Sequence, residues 1–226
     1  MKSKIEKTFL IFSFCCSFLV IHSQEKTKLF RHAIGFDICI PNTISNQLFS
    51  SNFDEVAELG VNYDFMLLKN ISLGVSYRYS YFELNRRAFP INMNGQFDSH
   101  FAGVTTSIHK SLSDRSYLKT GFSLGYNQVF RRATGFENIN PNENNFFMSP
   151  YVGVFIFNND VGSVGLIVNI SYSEYIYNID LKNPNASFVP SNTIFDKLSW
   201  FAVGFKYEYC LLYTSPSPRD VWRSRM

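Results

Sequence analysis

Cysteine is scarce in this chain: four in 226 residues, an adjacent pair at Cys15-Cys16, one at Cys39 and one at Cys210. Only Cys39 lies away from the two ends, and a single thiol builds neither a disulfide framework nor a cysteine metal site. Long apolar runs are missing too. The longest, Phe9 to Ile21, falls short of the roughly 20 residues that a transmembrane helix needs. Charge of one sign does not dominate either, since 21 Lys and Arg stand against 18 Asp and Glu. These absences exclude a disulfide scaffold and a helical membrane protein.

The ends are best set aside first. Lys2, Lys4 and Lys7 precede the apolar run, and His22-Ser23-Gln24 follows it, the layout of a secretory signal peptide over residues 1–23. Ser13 and Phe14 before the cysteine pair do not form the small-residue box of a lipid-anchored leader. At the other end, Cys210 to Asp220, CLLYTSPSPRD, resembles the translation of a transposase adapter used in DNA sequencing libraries. Val221 and Trp222 then correspond to index bases, and Arg223 to Met226 to the following adapter segment. Residues 210–226 are therefore read as a non-native tail. Each end carries a net +2, so the formal +3 of the whole chain becomes about −1 for residues 24–209. Nothing in that balance calls for nucleic acid.

What remains is rich in Phe and Tyr and organised by a period of two. In Ile71 to Tyr81, ISLGVSYRYSY, every odd position is apolar or aromatic and every even position is small or polar. Such alternation is a β-strand with one greasy face. A run of about 9 to 11 residues with interfacial tyrosines suits a strand that crosses a membrane. The same pattern recurs in Lys28–Ile40, Glu55–Leu68, Phe97–His109, Tyr117–Phe130, Phe146–Phe157, Val161–Tyr177 and Asp196–Tyr209. Apolar residues occupy both faces of Phe146–Phe157, where Val152, Val154 and Ile156 are assigned outward. The connections alternate long and short, as in an even-stranded barrel with short periplasmic turns and long extracellular loops. The expected fold is all-β, an eight-stranded antiparallel up-and-down transmembrane β-barrel over residues 24–209.

The alternation also constrains register. The second and third strands are apolar at odd positions, so paired residues must have an even index sum. A three-residue turn, Lys69-Asn70-Ile71, satisfies this, with Tyr63 opposite Tyr77, Val61 opposite Tyr79, and Arg78 opposite Asn62 and within reach of Asp64.

Together, the leader, the eight alternating strands, the long and short loops and the aromatic last strand with Tyr207 and Tyr209 resemble the small OmpA/OmpX-type outer-membrane barrels. That resemblance implies a protein integral to the outer membrane of a Gram-negative bacterium, with outer-membrane lipid and lipopolysaccharide around it. Eight strands enclose only enough space for side chains, so a wide pore is not expected. Asp37, Glu58, Asp64, Arg78, Lys119, Lys206 and Glu208 are expected inside, where charges must pair or stay wet. Arg86, Arg87, Arg131 and Arg132 follow the outer ends of ascending strands, and guanidinium forks suit lipopolysaccharide phosphates.

No catalytic, cofactor or metal residues are assigned. His109-Lys110-Ser111 superficially resembles the His-x-Ser of lipid A deacylase barrels but falls at a short turn on the periplasmic side. Asp98 and His100 share a face near the outer rim with no nucleophile placed beside them, and His32 is expected at the interface. The expected role is non-enzymatic, structural or adhesive, carried by four long surface loops that meet a surface ligand or a host or cell partner, in a monomer of one barrel per chain. The alternatives are a barrel enzyme acting on outer-leaflet lipid, and a secreted lipocalin-like barrel with its apolar face turned inward.

Overall fold

Alternating side chains build a sheet that closes on itself. In the computed structural model, which describes residues 32–68, 70–85, 94–113, 115–133, 144–157, 162–177 and 197–211, eight strands form one closed antiparallel barrel. They are β1 (His32–Thr43), β2 (Phe53–Leu68), β3 (Ile71–Leu84), β4 (Gly95–Ser113), β5 (Ser116–Ala133), β6 (Asn144–Phe157), β7 (Gly162–Ile176) and β8 (Lys197–Leu211). Each pairs with its sequence neighbour, and β8 returns to β1. One helical turn, α1 (Gln47–Asn52), sits between β1 and β2.

The outward face is apolar. Phe36, Ile38, Leu59, Val75, Val104, Leu166 and Phe205 are all exposed, as are Val152, Val154 and Ile156 of β6. A belt of this kind is stable only against lipid. Tyrosines flank it, with Tyr77 and Tyr126 toward one rim and Tyr63, Tyr207 and Tyr209 toward the other. The inward face is polar through the middle of the barrel, which is the reverse of a secreted ligand-holding barrel.

The β2–β3 register has the expected parity but not the expected pairs. Val61 faces Tyr77, Leu59 faces Tyr79 and Gly60 faces Arg78. The connection is only two residues long, and a bulge between Met66 and Leu68 restores the even sum one step away from the turn. Arg78 is thereby carried away from Asp64. The strands also run further than the alternation alone suggests: β4 continues to Ser113, so His109 lies within a strand and not at a turn. Cys210 and Leu211 of the excluded tail continue the β8 ladder opposite Ala33 and His32.

Candidate functional site

Inside the barrel the buried charges form two groups. Glu58, with 0% exposure, accepts four hydrogen bonds from three other strands. The donors are Arg78 Nη1 at 2.8 Å, Ser80 Oγ at 2.9 Å, Asn169 Nδ2 at 3.0 Å and the Trp200 indole N–H at 2.7 Å. Asp37 adds a second carboxylate 3.8 Å from Arg78 Nη2. Gly60 stands between the two in the ladder, and a Cβ there would lie 2.3 Å from Asp37 Oδ2. The missing side chain is what lets aspartate and arginine approach.

The second group is centred on Lys119, which is fully buried. Its ammonium donates to Asp64 Oδ2 at 2.7 Å and to Glu208 Oε1. The other Glu208 oxygen accepts from the Tyr117 hydroxyl at 2.7 Å. Lys206 lies 3.5 Å from Glu208 and over the Tyr151 ring. All seven charged residues assigned to the interior are thus buried within it. Arg78 pairs with Glu58 and Asp37, while Asp64 pairs with Lys119 and not with Arg78.

Above the charges, toward the outer rim, the lumen is filled by rings. Phe49 of α1 is fully buried and packs against Phe53, Phe82, Phe97 and Tyr177 at centroid distances of 4.7 to 5.5 Å. Asn46 caps α1 from a left-handed conformation (φ 65°), accepting from the Phe49 amide while donating to the Tyr177 carbonyl. Below Phe49, Phe101 and Phe147 pack at 4.3 Å over a dip where Gly103 faces Gly125. At the periplasmic end Tyr117 and Phe155 stack beside Ala33 and Cys210. Alternation did not reveal this ring-filled mouth. Its one available signal was the apolar character of the inward positions at strand ends, Phe53, Phe82 and Phe97.

The histidines separate by face. His109 is buried in the lumen, where Nε2 meets Ser72 Oγ at 3.1 Å and Ser107 Oγ at 3.0 Å. His32 bonds Tyr63 at 2.6 Å on the outward surface. Asp98 and His100 also face outward, near the upper rim. Asp98 accepts from the Tyr79 hydroxyl at 2.7 Å and the Gln96 amide at 2.8 Å, and His100 Nδ1 meets the Tyr77 hydroxyl at 2.8 Å.

The two described arginines of the phosphate hypothesis point opposite ways. Arg131 is buried in the mouth, 5.7 Å over the Tyr177 ring, so it is not presented to lipid. Arg132 is exposed on the outward face opposite Gln96. Arg86 and Arg87 lie outside the described residues.

A closed eight-stranded antiparallel barrel with an apolar belt, aromatic girdles and a polar, packed interior is an outer-membrane β-barrel, with the fold of the small OmpA/OmpX type. Neisserial surface protein A shares that fold at a TM-score of 0.53 and 9% identity, over 80% of this chain and 97% of that one. Outer membrane protein W of E. coli aligns at a TM-score of 0.47 and 13% identity, over 82% of this chain and 100% of that one. No family profile matches the sequence, and no curated protein matches it.

Proposed function

We propose that the protein is a closed, non-enzymatic anchor in the outer membrane, whose recognition chemistry lies at its extracellular end. The supporting observation is the occupied lumen: the Phe49 cluster fills the mouth, and the Glu58 and Lys119 networks cross the middle. Side chains that meet across a barrel this narrow leave no continuous aqueous path. Residues 86–93, 134–143 and 178–196 lie in the sequence between β3 and β4, β5 and β6, and β7 and β8, and we assign surface binding to these connections. Export is assigned to residues 1–23, and residues 210–226 to a non-native extension.

The reading is tested by reconstituting the refolded chain in planar lipid bilayers. The expected record is free of sustained current steps. Stable openings of porin size would overturn the closed-anchor reading.

A further inference from the structure

One wall of the barrel carries polar chemistry directly above its apolar belt. On the outward face, near the upper ends of β4 and β5, Gln96, Asp98, His100 and Arg132 border a groove of about 850 Å³. Its lower part is apolar, formed by Phe36 and Ile38 of β1 and by Leu59 and Val61 of β2. Tyr77 and Tyr79 separate the two parts. Their hydroxyls bond His100 and Asp98 across the strand boundary, so both rings are held in place at the border between greasy and polar surface.

The charges on this wall are unevenly satisfied. Asp98 is only 5% exposed although it faces outward, and each of its oxygens already accepts a hydrogen bond, from Tyr79 and from Gln96. It orients those donors and does not pair with Arg132. Arg132 is exposed and makes no ion pair among the described residues. On the opposite wall the corresponding outward cation, Lys197, is paired with Glu174 at 3.6 Å and sits over the Tyr172 ring. The guanidinium of Arg132 is thus left to a partner from outside the chain, at the level where the outer leaflet presents its headgroups.

We propose that this groove binds one phosphorylated glycolipid of the outer leaflet. An acyl chain lies along Phe36, Ile38, Leu59 and Val61, where it covers apolar surface. The sugar rests against the held rings of Tyr79 and His100 and meets the Gln96 amide. Arg132 takes the phosphate through its bidentate fork. The inference rests on the placement of the barrel in the outer membrane, and it is independent of whether the lumen conducts.

The test uses the full chain refolded in zwitterionic detergent micelles, with bound lipid counted by native mass spectrometry. The probes are bis-phosphorylated lipid A, its dephosphorylated form and phosphatidylglycerol. The expected result is one lipid A per barrel, an affinity about tenfold lower in Arg132→Gln, as loss of a charge-assisted hydrogen bond gives, and unchanged affinity in Lys197→Gln. The dephosphorylated probe should bind the native chain no better than lipid A binds Arg132→Gln. Equal affinity of native and Arg132→Gln chains for lipid A would overturn the site. Retention of phosphatidylglycerol as tight as that of lipid A would overturn the assignment to glycolipid. Because the bilayer recording reads the lumen alone, failure here leaves the closed-anchor reading intact, and the reverse also holds.

Discussion

The ring-filled mouth and the charged midsection are both buried, yet they close the barrel in different ways. In the midsection the two hubs draw their partners from other strands: Glu58 of β2 is satisfied by β3, β7 and β8, and Lys119 of β5 by β2 and β8. These bonds are directional and exist only when the sheet has closed in its own register. A one-residue slip would turn the same side chains toward lipid. The mouth depends instead on rings that meet edge to face around Phe49. Ring contacts tolerate small shifts, and their central member comes from α1, not from a strand. The comparison separates specification from sealing: charges select the closed sheet, and rings fill what the closed sheet leaves open.

The largest expected effect comes from Glu58→Ala. It takes the acceptor from Ser80, Asn169 and Trp200 and leaves Arg78 only the longer contact to Asp37 at 3.8 Å, and removing one partner of a buried ion pair costs about 3 to 5 kcal/mol. Urea unfolding in micelles should show a loss near the upper end of that range, or failure to refold. Phe49→Ala should cost about 3 kcal/mol, typical of an emptied aromatic site, but the loss should be confined to the mouth. Proteolysis of α1 should accelerate while the β-sheet circular dichroism persists. Equal loss of sheet and α1 in that variant would break the distinction between the two regions. Gly60→Ala drives a methyl group into Asp37, and overpacking of this kind costs about 1 to 3 kcal/mol. If the Asp37–Arg78 approach matters less than the Glu58 hub, this variant still folds, with a lower midpoint in urea. Smallest of all, Lys197→Gln removes a partly exposed pair at the rim, and its unfolding midpoint should move by no more than about 0.5 kcal/mol.

The midsection was legible in the sequence because a period of two assigns each strand residue to a face. Asp37, Glu58, Arg78 and Lys206 all follow from that rule alone. Their partners did not follow, because pairing depends on register, and a bulge beside the Lys69-Asn70 turn moved β3 relative to β2. A bulge leaves the alternation of each flanking segment intact, so parity survived while the neighbour of Arg78 changed. The mouth was the least legible part. Phe49 belongs to a stretch rich in Asn and Ser, with no periodicity to mark its role. Tyr177, one of the rings it meets, lies 128 positions further along the chain, one residue past the end of β7. Arg131 and Arg132 read as one basic pair only until their strand was seen to continue to Ala133, which sends adjacent side chains to opposite faces.

Trp200 stands where the two regions meet, its rim packed on Phe82 and Phe147 and its N–H on Glu58. The chain has two tryptophans, and the other is Trp222. A chain ending before that residue would carry a single indole, seated between rings that shield it and a carboxylate that draws on its N–H. Its emission colour would then respond to water entering from above, and its intensity to any change in the carboxylate below. The barrel thus carries its own optical gauge, and one spectrum can tell a lifted lid from a broken hub.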